Sequence, residues 1–266
     1  MSLKIVRQFA STSMQAAPLW GLRRFGVAPG GAQDRESLAL ANALVGKDPD
    51  EPALEVIGGS IEVIADEDGA LAVVGADCTV NGVPGNSRFT ARRGDQFQLS
   101  LGLAGFTYYL AFGSPRSESR MEQGPSSIQA QLIRVLSGPQ AKALGNLPAS
   151  HVVSNQISRA GIRLQTCGLA HNLELPSEPA CLGAIQITPD GTPIILGPDG
   201  PTIGGYPKVA VVCSADLDKL AHLRPGSTVT FQQISLEEAK ELKLARDRDL
   251  RRRVSELSLH NLNPGA

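Results

Sequence analysis

The stretch Gly183-Ala184-Ile185-Gln186-Ile187-Thr188-Pro189-Asp190-Gly191-Thr192-Pro193-Ile194-Ile195-Leu196 decides how this chain is read. Two apolar runs of strand length flank Pro-Asp-Gly. The proline presets φ and the glycine accepts a positive φ, so the stretch predicts strand, turn and return strand. A glycine-rich loop at 197–207 follows, ending in Gly204-Gly205-Tyr206-Pro207. Further strands are expected at 132–136, 151–154, 209–212 and 227–234, with Ser214 capping a short helix that reaches His222.

The N-terminal half is written in the same style. A strand is expected at 3–9, and residues 11–24, which hold Trp20, read as irregular. After the loop Ala28-Pro29-Gly30-Gly31, Asp34 is an N-cap whose carboxylate can accept from free amides of the first turn. The helix it starts runs through Leu38, Ala41, Leu44 and Val45 and ends at Gly46. Short strands follow at 53–57, 61–64, 70–74, 78–80, 88–91, 96–101 and 107–112, with Asn81-Gly82 as a hairpin turn. The polar stretch 113–131 reads as a linker. Residues 236–260 read as a helix with Leu250, Val254 and Leu257 on one stripe beside Arg251, Arg252 and Arg253. The expectation is a mainly β protein: one β unit with a helix at 1–115, a second at 132–235, a few short helices, and the C-terminal helix.

Composition narrows the function. The 266 residues carry a formal net charge of -1, so no basic excess points to nucleic acid or to a membrane surface. Aromatics are 4%, which leaves the core to aliphatic side chains. The 28 glycines and 18 prolines are scattered without a period, as tight turns between short strands require. No apolar run approaches membrane-span length. The N-terminus lacks a signal-peptide layout, and the four cysteines form no CxxC pair. Free thiols and a cytoplasmic location are expected. No GxxxxGK[ST], HExxH or GxSxG motif occurs. Cys167 and His171 are spaced CxxxH without a second ligand pair, so no metal site is expected.

Two clusters can carry chemistry. In the glycine-rich loop, Asp199 can orient an amide or act as a base, Tyr206 can donate to an oxyanion, and Thr202 adds a hydroxyl. Gly204 and Gly205 let backbone amides approach a ligand or form an anion-binding nest. The same pattern serves a plain turn loop. Arg159 and Arg163, four apart around Gly161, can grip a carboxylate with a bidentate fork or stand as surface arginines.

Taken together, these residues resemble the family that contains the C-type subunit of 5-oxoprolinase, also described as biotin-dependent carboxyltransferase-like or allophanate hydrolase subunit 2. The resemblance rests on Gly183-Ala184-Ile185-Gln186, Asp190-Gly191, Pro193-Ile194, Asp199, Thr202 and Gly204-Gly205-Tyr206-Pro207. It continues in Asp216-Leu217, Leu220-Ala221, Leu223 and Pro225-Gly226, and upstream in Gly26-Val27, Gly31-Ala32, Asp34, Ala41-Asn42, Leu44-Val45-Gly46 and Leu54-Glu55. Arg159, Gly161, Arg163 and Leu164 match its central element.

The resemblance implies a cyclophilin-like β-barrel and partner proteins of A and B type. It implies ATP-dependent opening of the 5-oxoproline lactam to glutamate, with ATP bound alongside the partners. Asp199 and Tyr206 would be catalytic. Arg159, Arg163, Gln186, Thr202, Gly204 and Gly205 would bind a small amide or lactam, and Asp34 would be structural. Where the family's opening motif has an aspartate, this chain has Ala16, and the 113–131 stretch is short. Two alternatives stand beside the hydrolase reading. One is a non-catalytic regulator that pairs with a kinase inhibitor resembling the B-type partner. The other is the carboxyltransferase half of a urea-carboxylase-like enzyme, its biotin carried on another chain.

Overall fold

The computed structural model describes residues 3–103, 105–113, 132–145 and 147–262. The chain divides into two compact units. One comprises Met1–Ala17, Asp34–Ile128 and Asp247–Ala266; the other comprises Pro18–Gln33 and Gln129–Arg246. Residues 114–131, which hold most of the expected linker, lie outside the described residues.

The first unit holds β1 (Leu3–Gln8), β2 (Ser11–Gln15), α1 (Arg35–Leu44), β3 (Ala53–Ile57), β4 (Ile61–Ala65), β5 (Gly69–Gly75), β6 (Cys78–Val80), β7 (Val83–Pro84), β8 (Ser87–Ala91), β9 (Gln96–Leu101) and β10 (Thr107–Gly113). They form two five-stranded antiparallel sheets, β1-β4-β9-β6-β7 and β2-β3-β10-β5-β8. Strand β4 shows the period of two: Ile61, Val63 and Ala65 are buried while Glu62 and Ile64 are half-exposed. Its inward residues join Val56, Leu71, Val73, Leu99 and Leu110 in one core drawn from both sheets. All of β5 is buried; one of its faces looks into that core and helix α1 packs on it. Asn81 and Gly82 take φ of 51° and 78°, the left-handed pair of a tight hairpin turn, and Val80 pairs with Val83 across it.

Asp34 caps α1 as expected: its carboxylate accepts from the Ser37 N–H at 3.0 Å and from the Ser37 hydroxyl. The expectation of irregular structure at 11–24 is corrected over its first part. Residues 11–15 form β2, which pairs along β3 from Ser11↔Ile57 to Gln15↔Ala53. Ser-Thr-Ser lacks apolar alternation, so the neighbouring strand, not local propensity, makes it β.

The second unit is a closed seven-stranded barrel in the order β11-β18-β15-β16-β13-β12-β19. Its elements are β11 (Leu132–Ser137), α2 (Ala141–Leu144), β12 (Ser150–Ser158), β13 (Gly161–Leu164), β14 (Glu178–Pro179), β15 (Ala184–Ile187), β16 (Pro193–Leu196), β17 (Ile203–Gly204), β18 (Lys208–Val212) and β19 (Thr228–Gln233). A parallel β11–β19 pairing closes the ring, which removes sheet edges. Ile133, Val153, Ile162, Leu164, Ile185, Ile187, Ile195 and Val229 fill the interior. Strand β13 goes beyond the sequence reading, which saw only an arginine pair there.

Ser214 is not the cap of the following helix. A 3-10 helix begins after Asp216 at Leu217–His222 without a side-chain cap. The Asp216 carboxylate is committed elsewhere: it accepts from the Arg134 backbone N–H and Nε at 2.8 Å each and pairs with Lys219 at 2.9 Å. Helix α3 (Leu236–Leu262) ends the described chain. Leu250, Val254 and Leu257 are half-buried. Two of the three arginines beside them are paired: Arg252 bonds Asp249 and Glu256, and Arg253 bonds Glu36. Among the described residues no helix is long and apolar enough to cross a membrane.

Candidate functional site

The period of two that fills the barrel also builds a site on its outer wall. With Ile162 and Leu164 inward, Gly161 and Arg163 face out. With Ile185 and Ile187 inward, Gln186 faces out, and with Ile195 inward, Ile194 and Leu196 face out. These outward residues, with residues 173–175 and Pro201, Gly204, Gly205 and Tyr206, line a cavity of about 810 Å³.

Register sets its central feature. Arg163 of β13 pairs with Ile194 of β16, and Ile194 pairs with Gln186 of β15. The three form one row across three strands. This places the Arg163 and Gln186 backbones about 10 Å apart, with the Ile194 side chain as an apolar floor between them. Gln186 is 3% exposed, and its Nε2 has no hydrogen-bond partner. A buried amide left unsatisfied costs about 1–3 kcal/mol, and at this position the open donor lines the cavity and is able to pair with a group that enters it. The pairing of β15 with β18 slips between Ile185 and Gln186, the kind of irregularity that re-aims a side chain. Arg163 is exposed on the wall, and no described residue pairs with its side chain. Ser158, Glu174 and Tyr206 add polar groups.

Gly204 and Gly205 serve close approach. A Cβ on Gly204 would lie 3.3 Å from Gln186 Nε2, and one on Gly205 would lie 3.0 Å from the Leu175 carbonyl. Neither residue takes a positive φ, so the alternating-hand nest expected of them does not form. Their segment is braced from beneath. Glu178 pairs with Gly204 in the β14–β17 ribbon, and the buried Lys208 donates its Nζ to Glu178 at 2.6 Å. Gln140 joins them, donating Nε2 to Glu178 and accepting from the Lys208 backbone N–H. The hydrogen bond and the charge of Lys208 hold the Glu178 carboxyl below the usual carboxylate range.

Five of the residues singled out in the sequence meet here: Arg163, Gln186, Gly204, Gly205 and Tyr206. Three do not. Arg159 and Asp199 are given to each other, Nε to Oδ2 at 2.7 Å and the guanidinium's second nitrogen to Oδ1 at 3.0 Å. Arg159 also donates to the Gly31 carbonyl at 2.7 Å. This bidentate clip holds the loop. Thr202 lies off the cavity lining and uses its carbonyl to accept from the Ala180 N–H at 3.0 Å.

His171 has a role that the CxxxH spacing hid. Its Nδ1 accepts from the Leu173 N–H at 3.1 Å, and its Nε2 lies 3.2 Å from the Ile187 carbonyl. Both nitrogens are occupied in tying the 173–175 wall to the end of β15. Cys167 directs its thiol to the Gly191 carbonyl, and burial pushes that thiol up. Burial, reinforced by Asp77, pushes Cys78 up to about 12. All four cysteines are free. Among the described residues no three of His, Cys, Asp and Glu gather into a metal site.

The comparisons with known proteins agree with this architecture. The chain is 29% identical over 313 aligned positions to the C-type subunit of 5-oxoprolinase from Escherichia coli K12, covering 98% of this chain and all of that one. It is 30% identical to the corresponding 5-oxoprolinase subunit of Haemophilus influenzae, over 84% of this chain and 88% of the relative. The crystal structure of TTHA0988 superposes with a TM-score of 0.76 at 25% identity, covering 86% of this chain but 55% of that one. The carboxyltransferase domain family, subdomains A and B, matches residues 25–115 and 113–233. By that match, which takes in both β units, the chain belongs to the carboxyltransferase domain family.

Proposed function

We propose that this chain is the C-type subunit of an ATP-dependent 5-oxoprolinase and that it holds the lactam substrate in the cavity on the barrel wall. The observation that carries the reading is the row Arg163–Ile194–Gln186. A lactam acid has a carboxylate at one end, an apolar ring edge, and an amide at the other. Arg163 can take the carboxylate through a charge-assisted fork. Ile194 supports the ring, and the unsatisfied Gln186 carboxamide offers both a donor and an acceptor, the complement of an amide. The Tyr206 hydroxyl, half-exposed at the rim, can donate to the carbonyl oxygen as it gains charge. Homology to the C-type 5-oxoprolinase subunits over most of the chain supports the same reading.

ATP has no obvious seat in this cavity. Among the described residues the lining holds one cation, Arg163, and the acidic Glu174, and the sequence has no phosphate loop. Partners of A and B type would hold the nucleotide, whose chemical role is to activate the lactam carbonyl oxygen. This chain would bind and orient the lactam while the C–N bond breaks, water supplies the new carboxyl oxygen, and nitrogen takes a proton. A regulatory role is the second reading, favoured by Ala16 where the family's opening motif has a carboxylate.

The test is ATP hydrolysis by this chain co-expressed with the A- and B-type proteins of its own organism, with and without 5-oxoproline. Stimulation should vanish when the chain is omitted. Arg163→Ala should raise the 5-oxoproline concentration for half-maximal stimulation by about 10- to 100-fold. A complex that forms but ignores 5-oxoproline would leave the regulatory reading standing.

A further inference from the structure

Residues 19–27 read Leu-Trp-Gly-Leu-Arg-Arg-Phe-Gly-Val. Five of the nine are large apolar side chains left in water: Leu19 is 63% exposed, Trp20 60%, Leu22 37%, Phe25 66% and Val27 45%. Exposed apolar residues scattered singly need no explanation, but a contiguous set marks an interaction site.

The segment is not slack. The Leu19 N–H donates to the Pro29 carbonyl at 2.8 Å, and the Phe25 N–H donates to Leu22 at 2.9 Å in the 3-10 turn Arg23–Phe25. Gly30 donates to Pro198 at 3.1 Å. Arg23 reaches across to the carbonyls of Ala180 and Pro201, the latter at 3.2 Å. The backbone is thus held while the apolar side chains point outward, so little ordering entropy remains to be lost when they are covered.

The anchors also fix where this face lies. Pro201 lines the cavity. Ala180 adjoins the β14–β17 ribbon, where Ile203 is 61% exposed. The apolar face therefore reaches the cavity lip. It is also cationic: no acidic residue occurs between Gln15 and Asp34, and Arg24 sits over the Phe25 ring at 4.7 Å.

We infer that residues 19–27 are the docking surface for the B-type partner chain, which presents an apolar patch rimmed by acidic residues. The inference rests on the reading of the chain as one component of a complex and adds the surface. A second copy of this chain is the weaker occupant, because a two-fold contact would set Arg23 and Arg24 against their own copies. The length of TTHA0988 fits a polypeptide occupant: this chain covers 55% of it, so nearly half of that relative is further polypeptide. A partner on this face would close the mouth of the cavity and exclude water from the lactam.

Trp20 is the only tryptophan, so 5-fluorotryptophan incorporated into this chain gives a single 19F resonance from the proposed surface. Adding the unlabelled B-type protein of the same organism should shift that resonance. Trp20→Ala and Phe25→Ala should each weaken Kd by about 10-fold or more, with far-UV circular dichroism unchanged. Val83→Ala, an exposed apolar change in the first unit, should leave Kd as it was. A complex that forms with the resonance unmoved and Kd indifferent to Trp20 and Phe25 would overturn the surface but not the proposed function. Failure to form any complex would overturn both. A resonance that shifts with this chain's own concentration would give the face to a second copy and overturn the stated occupant.

Discussion

Two sets of buried polar groups, one in each unit, are treated in opposite ways. In the first, Tyr109, Glu55, Asp34 and Ser37 are all buried, and they satisfy one another. The Tyr109 hydroxyl donates to Glu55 and accepts from the Asp34 N–H at 2.9 Å, while the Asp34 carboxylate accepts from Ser37. Burial, with the charges of Glu55 and Asp34 behind it, keeps the Tyr109 phenol protonated as the donor. In the barrel unit, Gln186 is just as buried, and its amide nitrogen has no partner. A closed network specifies structure, whereas an open group beside a cavity is able to take a ligand. Among the described residues the first unit has one unpartnered buried side-chain acceptor of its own, Asn42 Oδ1, but the Asn42 amide nitrogen donates to the Pro49 and Glu51 carbonyls, whereas Gln186 leaves its donor open and lines a cavity.

The largest expected effect breaks the closed network. Glu55→Ala leaves the Tyr109 hydroxyl without its acceptor inside the core and opens a void beside it. The expected cost is about 3 kcal/mol of unfolding free energy, read from the urea midpoint at an unchanged m-value. A loss below about 1 kcal/mol would mean that the network does not hold the first unit together.

A second substitution sharpens the comparison from inside the barrel unit. Asp216 is fully buried there but, unlike Gln186, fully partnered. Burial raises its carboxyl, but the hydrogen bonds from Arg134 and Lys219 outweigh that, and the net shift is downward. A carboxyl lowered in the folded state stabilises it above its unfolded pKa, and that contribution is lost as pH falls through the folded value. Asp216→Asn should therefore cost about 2 kcal/mol at pH 7, and the gap to the wild type should close below about pH 4. A gap that persists unchanged at pH 2 would show that packing, not charge, is what Asp216 contributes.

Much of this could be read along the chain, because the barrel's alternation is local. Ile185-Gln186-Ile187 announces a polar residue on the face opposite an apolar core. Ile162-Arg163-Leu164 does the same once its strand is recognised. The apolar pair Ile194 and Leu196, outward of Ile195, signals a wall that is itself covered. What could not be read depends on contacts far apart in sequence. Arg159 and Asp199 read as separate candidates for substrate binding and catalysis, and nothing local showed that the two, forty residues apart, pair with each other. Spacing set His171 aside as an ordinary residue, and nothing local showed that its two nitrogens serve Leu173 and Ile187. Residues 19–27 gave no sign that their apolar side chains face outward, since nothing local distinguishes a buried Trp20 from an exposed one.

The smallest expected effect on stability is also the most discriminating. Gln186→Leu keeps the volume near that of the wild type and deletes the unsatisfied amide. If Gln186 is strained for the sake of a ligand, the variant should be as stable as the parent or more stable by up to about 1 kcal/mol. In the assembled complex the same change should cut stimulation of ATP hydrolysis by 5-oxoproline at least about 10-fold, because the lactam's polar edge then meets a methyl group. Stability and function would move apart, as they do where a binding site is held against the fold's own preference. A variant that lost about 2 kcal/mol instead would mean that Gln186 has a structural partner, and the contrast with the Tyr109 network would fail. One that kept both stability and stimulation would leave the Gln186 amide idle and confine lactam recognition to Arg163 and the rim.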